Sequence, residues 1–354
     1  MSIQDGDGVL GIAVGRRDRF HRMRRVRETG PGAPAALRER SAVIVGCGAL
    51  GCAAATLLVR SGIGALRLVD RDVVEWGNLG DQCLYLEEDA STGRLKAEVA
   101  AERLSASDAG IRIEASVADV AADNVRDLIA GFDVVIDGSD NLETKYLLND
   151  AAVATGTPWV YVGCAGSIGS VLAVVPGRTH CMRCVWPIPP AAHLVEGCES
   201  SGLLPTTAAM VAAVQVTEAL KILLGKQDEL VGQVMTIDTW TARVRRIPFR
   251  QFDGNLNNCP ACGRGDFSFL NKRGARRAET LCGGDTVLIR DDAWFDYEQV
   301  RERLQLELRV STPSFFSLDT EGCRLVVFQS GRALVHGTCD PVRARALLGR
   351  YVAS

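Results

Sequence analysis

Neither sign of charge is in excess. Forty Lys and Arg face 43 Asp and Glu, a formal net charge of −3. A whole-chain basic surface for nucleic acid is therefore not expected. No apolar run approaches the ~20 residues needed to cross a bilayer, so no membrane span is expected. Residues 9–14 form one short apolar patch, but its positive charges follow it rather than precede it. That is the wrong order for a secretory signal, and a cytoplasmic chain is the expectation. There is no internal repeat and no low-complexity tract, which sets aside repeat architectures. Lysine is scarce, 5 residues against 35 arginines. An arginine cluster such as the seven between Arg16 and Arg27 therefore says little by itself.

Cysteine is not scarce. Twelve are many for a reducing compartment, where metal binding or thiol chemistry explains them better than disulfides do. Cys181 and Cys184 form one C-x-x-C pair, and Cys259 and Cys262 form a second. Two such pairs can build a four-thiolate tetrahedral zinc site. Across the 74 intervening residues the metal would staple the ends of a long segment. Cys198 stands alone in a stretch rich in Pro and Gly. The other seven are expected as small buried apolar residues.

Residues 41–45 read as a strand, followed by the glycine-rich run GCGALG. An Ala- and Leu-rich helix then runs to about Arg60, and residues 65–69 form a second strand ending in Asp70. This is a βαβ outline. Helices are expected at 94–104, 121–129 and 142–155, with strands at 111–116, 134–136 and 159–162. Val134-Val135-Ile136 is fully apolar, as in a buried parallel sheet. Residues 206–224 read as an apolar core helix, because Gln215, Glu218 and Lys221 argue against a membrane span. Residues 231–250 read as strands. A composition shift marks 266–278 as a linker, and 279–354 reads β-α-β-β-α, a small α+β domain. The expected fold is α/β: a Rossmann-like doubly wound sheet with a structural zinc site, plus that C-terminal domain.

Gly46, Gly48 and Gly51 lie between a strand and a helix, with Asp70 nineteen residues beyond the last of them. Glycines allow backbone N–H groups close to phosphate, the helix N-terminus favours negative charge, and the acid can hold ribose hydroxyls. This motif alone fits an NAD(P) oxidoreductase. A second group fits ATP better. Asp72, Asn78 and Gln82 follow Asp70; Lys96 lies fourteen residues past Gln82; Asp140 and Asn141 end a later strand. Carboxylates at strand ends suit Mg²⁺, and a lysine suits phosphate oxygens.

The combination GCGALG, LVDRDVVEWGNL, GRLKAE, DGSDN, CMRC, CPAC and GCESSGLLP, with the helix AAVQVTEALKIL, resembles the ThiF/MoeB adenylyltransferases, relatives of ubiquitin-activating enzymes. The resemblance spans roughly residues 16–264. The tail resembles the extra C-terminal domain of some bacterial members and lacks the C-x-x-G-x-R loop of a rhodanese. The resemblance implies an arm at 1–40, an ATP-binding adenylyltransferase domain with the zinc site at 41–265, and the tail domain at 279–354.

It also implies a reaction: ATP adenylylates the C-terminal glycine of a small ubiquitin-like sulfur carrier, in thiamine or molybdenum-cofactor biosynthesis. Gly46, Gly48 and Gly51 would form the nucleotide loop and Asp70 would take the ribose. Asn78, Gln82 and Lys96 would contact phosphates, and Asp140 would hold Mg²⁺. Arg22 would be supplied by the partner subunit of a homodimer. Cys198 would bond to the carrier or to its sulfur, delivered by a cysteine desulfurase or rhodanese. One position departs from the pattern. Where the family reads Asn-Leu-x-Arg-Gln, this chain has Asp81 in place of the arginine. Either Arg19, Arg22 or Arg71 substitutes, or the chain is a catalytically weak or inactive scaffold that docks the carrier.

Overall fold

Strands made of unbroken apolar residues need cover on both faces, and the main sheet has it. The computed structural model describes residues 19–190, 201–247, 256–271, 277–280, 286–290, 295–311, 315–329 and 331–352. The main sheet contains β1 (Ser41–Val45), β2 (Ala65–Val69), β3 (Arg112–Ser116), β4 (Val134–Asp137), β5 (Trp159–Ala165), β6 (Ile168–Val174), β7 (Val234–Asp238) and β8 (Arg243–Ile247). Their order is β3-β2-β1-β4-β5-β6-β7-β8. The first five neighbours run parallel, and β6 to β8 extend the sheet antiparallel.

The helices are α1 (Ala33–Arg38), α2 (Ala49–Ser61), α3 (Glu87–Thr92), α4 (Lys96–Ser107), α5 (Val125–Ile129), α6 (Leu142–Thr155), α7 (Met182–Val185) and α8 (Pro205–Leu223). Alternate strand residues feed two cores. Ala42, Ile44, Val134 and Ile136 pack under α2, α4 and α8. Val43, Val45 and Val135 pack under α5, α6 and the cysteine knuckle. By length and composition α8 could cross a membrane. Its Val211, Gln215, Val216, Glu218 and Ala219 are buried, so here it is a core helix.

A second sheet carries the C-terminal residues: β9 (Arg277–Thr280), β10 (Thr286–Arg290), β11 (Val310–Ser311), β12 (Phe315–Thr320), β13 (Cys323–Phe328) and β14 (Arg332–His336). It is antiparallel in the order β11-β12-β13-β14-β10-β9. One face packs on α9 (Tyr297–Arg303) and α10 (Pro341–Tyr351) through Phe316, Leu325, Val327 and Val335. The other face, Leu288, Phe315, Val326, Phe328 and Leu334, packs on Val73, Leu95 and Val117 of the main domain.

Several details differ from the sequence expectations. Helix α5 starts at Val125 rather than 121, because Asn124 Oδ1 accepts from Ala121 N at 2.9 Å and its Nδ2 donates to Asp119 O at 2.8 Å, closing a turn. Helix α3 was not expected; its acidic first turn and left-handed Gly93 cap are ordinary helix signals. Residues 267–270, within the expected linker, pack into the second core. Of the seven cysteines expected to be buried, Cys47, Cys52 and Cys323 are, Cys83 and Cys339 are exposed in loops, Cys164 is half-buried, and Cys282 lies outside the described residues.

Candidate active site

In an open α/β sheet, ligands bind beyond the strand C-termini where the strand order reverses. Here that point lies between β1 and β4. Two loops meet there backbone to backbone. A Cβ on Gly46 would stand 2.5 Å from Gly138 O, and a Cβ on Gly51 would stand 1.8 Å from Gly46 O. Gly46 also has φ +92°, which favours glycine. Gly48 is different. A Cβ there would meet nothing nearer than Gly138 O at 4.0 Å. The protein leaves that space open at the start of α2, where a phosphate is favoured.

Asp70, at the end of β2, holds the glycine loop. Its Oδ2 accepts from Cys47 N at 2.6 Å and its Oδ1 from Asp72 N at 2.7 Å. Burial, with Asp72 beside it, pushes the Asp70 carboxyl up to about 6. A carboxyl raised in the fold makes its ionised form a penalty. That penalty is present above about pH 6 and relieved towards the unfolded carboxylate range near ~3.9. Nucleotide binding should respond in the opposite sense, since protonation removes an acceptor from the loop. The nucleotide dissociation constant is expected to rise as pH falls through about 6, and Asp70→Asn should flatten that profile. Calorimetric titration from pH 5 to 8 checks both.

Lys96 is the first residue of α4, and it is buried. Its N–H donates to Asp72 O at 2.9 Å, and its Nζ lies 3.5 Å from Asp72 Oδ2. Burial works against its charge, but Asp72, Asp70 and Asp140 outweigh burial and raise its pKa. The same lysine and Arg71 hold the Asp72 carboxyl below its ordinary value despite burial. Lys96 is thus a permanent buried cation among three carboxylates. Tyr85 ties this corner to the glycine loop: its Oη lies 2.7 Å from Cys47 O and 3.3 Å from Lys96 O.

Asp140 is exposed in the turn after β4, and that turn is held from below. Lys145 Nζ donates to Asp137 Oδ2 at 2.8 Å, Ser139 O at 2.7 Å and Val162 O at 2.8 Å, all buried. Ser139 Oγ donates to Asp137 Oδ1 at 2.6 Å. Gln215 of α8 donates to Asp137 O at 2.7 Å and Val160 O at 2.9 Å. The sequence reading missed Asp137, Ser139, Lys145, Tyr85 and Gln215 as parts of the site. Asn141 caps α6, accepting from Thr144 N at 2.8 Å. Asn78 closes a 3-10 turn at Trp76–Gly80, its Oδ1 accepting from Glu75 N at 2.9 Å. Gln82 Oε1 is buried without a partner among the described residues, beside Asn78, to whose carbonyl its own N–H donates.

Asp81 follows the Asn78 turn, its N–H donating to Asn78 O; burial pushes its carboxyl up and the Lys96 charge opposes that. Arg71 is taken by Asp119 at 2.7 Å and Asp72 at 3.4 Å. Arg19 pairs with Asp108 at 2.9 Å and donates to Ser107 O, at the end of α4 opposite Lys96. Arg22 is exposed on the same segment. A twelve-residue helix is about 18 Å long, so Arg19 does not reach this chain's own cleft. Cys198 lies outside the described residues.

The four paired cysteines converge away from the cleft, within the second core. Cys181 and Cys184 Sγ are 3.9 Å apart, Cys181 and Cys259 3.6 Å, and Cys184 and Cys262 3.4 Å. A tetrahedron with Zn–S near 2.3 Å has edges of roughly 3.8 Å, so the thiols fit zinc. The knuckle is latched to α6. Asn149 Oδ1 accepts from Met182 N at 2.9 Å, and Arg183 Nη1 lies 3.1 Å from Asp150 Oδ1.

The ThiF family model matches residues 20–261. The sulfur carrier protein ThiS adenylyltransferase of Bacillus subtilis is 37% identical over 338 residues, which is 94% of this chain and 99% of that protein. A sulfur carrier protein adenylyltransferase of Thermus thermophilus is 36% identical over 251 residues, 70% of this chain and 90% of that one. Among solved structures, E. coli MccB with MccA-N7isoASN superposes with a TM-score of 0.61 at 19% identity, over 70% of this chain and 75% of that chain. That last likeness is one of fold.

Proposed function

The chain belongs to the ThiF family, and from that premise we propose that it is an ATP-dependent adenylyltransferase acting on a small ubiquitin-like sulfur carrier. The observation that carries this reading is Lys96, a buried cation held among Asp70, Asp72 and Asp140 beside the open glycine loop. A carboxylate oxygen of the carrier's C-terminal glycine attacks the α-phosphorus of ATP, and pyrophosphate leaves. Charge grows on the phosphate oxygens during that step, and Lys96 lies where it stabilises the charge. Gly46, Gly48 and Gly51 with the start of α2 seat the phosphates. Asp70 takes the ribose, and Asn78 and Gln82 line the phosphate side. Asp140 would hold Mg²⁺, which supplies further positive charge on the phosphates. Asp72 keeps Lys96 in place, and Asn141 sets the turn that carries Asp140.

Arg22 acts from the second subunit of a homodimer, a role to which its exposed place near Arg19, at the far end of α4, is suited. Cys198 attacks the carrier's acyl adenylate and expels AMP: as a thiolate it gives a thioester, and as a persulfide, loaded beforehand with sulfane sulfur by a cysteine desulfurase or rhodanese, it gives an acyl persulfide. The full-length match to a ThiS adenylyltransferase favours the thiamine route over the molybdenum-cofactor route.

Asp81 supports a second reading. A carboxylate facing Lys96 opposes a polyanion, and it fits a scaffold that binds nucleotide and carrier without turnover. Carrier-dependent ATP–pyrophosphate exchange decides. Exchange that starts only when a carrier with its C-terminal glycine is added is the expected result. ATP binding without exchange selects the scaffold.

A further inference from the structure

The C-terminal sheet does not hang free of the nucleotide cleft. Its apolar face lies on Val73 and Leu95. These two residues pair in a short antiparallel bridge. Val73 follows Asp72 and Leu95 precedes Lys96, so the bridge carries both members of the Asp72–Lys96 ion pair. Val73 is 5% exposed and Leu95 2%, under Leu288, Phe315, Val326, Phe328 and Leu334.

Polar contacts at the edge of this face point to the phosphate side of the cleft. Arg324 of β13 and His336 of β14 are register partners. Arg324 Nη1 lies 4.0 Å from Glu75 Oε1, and His336 Nδ1 lies 3.7 Å from the same oxygen. Thr286 of β10 holds that ring nitrogen at 3.0 Å. Glu75 in turn begins the turn that carries Asn78. The Asn78 backbone N–H donates to Glu75 O at 3.0 Å, and Asn78 Oδ1 accepts from Glu75 N at 2.9 Å. A third contact, Arg332 Nη1 donating to Asp119 O at 2.9 Å, braces the carboxylate that holds Arg71.

We infer that the C-terminal sheet is a working part of the adenylylation site: Arg324 and His336 are positioning residues that, through Glu75, set Asn78 for the ATP phosphates. The inference rests on the adenylyltransferase reading of the cleft. Its physical content is a coupling. A Glu75 side chain held by the C-terminal sheet fixes the Glu75 backbone N–H and C=O to which Asn78 is bonded, so the turn stays closed. Burial lowers the His336 pKa, so at neutral pH Arg324 is the standing charge that faces Glu75. Coupling of this kind is reciprocal: the sheet favours ATP, and ATP favours the docked sheet.

The test is steady-state exchange kinetics on the full-length protein with ATP and the carrier varied separately. Arg324→Met is expected to raise KM for ATP about fivefold, in the range of contacting-pair couplings. It should change kcat and the carrier KM less than about twofold. Arg324→Lys should restore the ATP KM. In a Glu75→Gln background, which removes the charge that Arg324 faces and keeps the backbone bonds to Asn78, Arg324→Met should add almost nothing. A lowered unfolding midpoint with an unchanged ATP KM would mean that the sheet only stabilises the chain, and the inference falls. If wild-type protein binds ATP but does not exchange pyrophosphate, the proposed activity fails instead. The same variants are then compared by ATP dissociation constant: a shift sustains the inference, and no shift overturns it. A chain that binds no ATP overturns both.

Discussion

Lys96→Ala is expected to lower the rate of carrier-dependent pyrophosphate exchange by roughly a hundredfold or more, the loss typical of one well-placed transition-state contact. The reason lies in the surroundings of the side chain. Its ammonium is buried and flanked by Asp72, Asp70 and Asp140. Alanine removes the cation and leaves those carboxylates facing the phosphates. Negative charge on the reacting phosphate grows between bound ATP and the transition state. The fall in kcat should therefore exceed the rise in ATP KM. Rapid-quench or isotope-exchange measurement at saturating ATP separates the two. An unchanged exchange rate would remove Lys96 from the chemistry.

The second large effect concerns the thiol cluster. Metal analysis of the purified chain should give about one zinc per chain. Serine at any one of Cys181, Cys184, Cys259 or Cys262 should lower stability by several kcal/mol, because binding energy at a structural zinc is folding energy. The latch makes the loss propagate. Asn149 and Asp150 hold the knuckle from α6, and the N-terminus of α6 carries the Asn141 cap beside Asp140. Chelation should therefore lower both the unfolding midpoint and the exchange rate. A zinc-free quadruple variant with full stability would reject the site.

Much of this was legible in the sequence, and the reasons differ by residue. The glycine loop, Asp70 and Lys96 stand at strand ends and helix starts, where the period of the chain changes from two to 3.6. Local pattern locates them without any knowledge of distant contacts. The paired cysteines are legible by spacing alone. Lys145 was not. On a helix that begins after a turn, a lysine reads as a solvated charge. Only the packed fold shows its Nζ pointing inward to Asp137, Ser139 and Val162. Gln215 gave a fainter signal, as a polar residue in an apolar helix. Its carbonyl partners, Asp137 and Val160, lie 78 and 55 residues away in the chain, so spacing does not reveal them. Arg71 was a reasonable candidate to replace the arginine absent at position 81. The structure shows its guanidinium taken by Asp119, a contact between the segments that follow β2 and β3.

The covered face of the second sheet also orders events during synthesis. Val73 and Leu95 are made early, while the residues that cover them, from Leu288 to Leu334, are made late. At about 5–20 residues per second, roughly 200 residues of further synthesis take about 10–40 s. During that interval the half-made main domain carries an uncovered apolar patch beside its nucleotide cleft. A ribosome stalled before Leu288 would release a product with its glycine loop complete and that patch permanently bare, a species for chaperones and proteases to recognise.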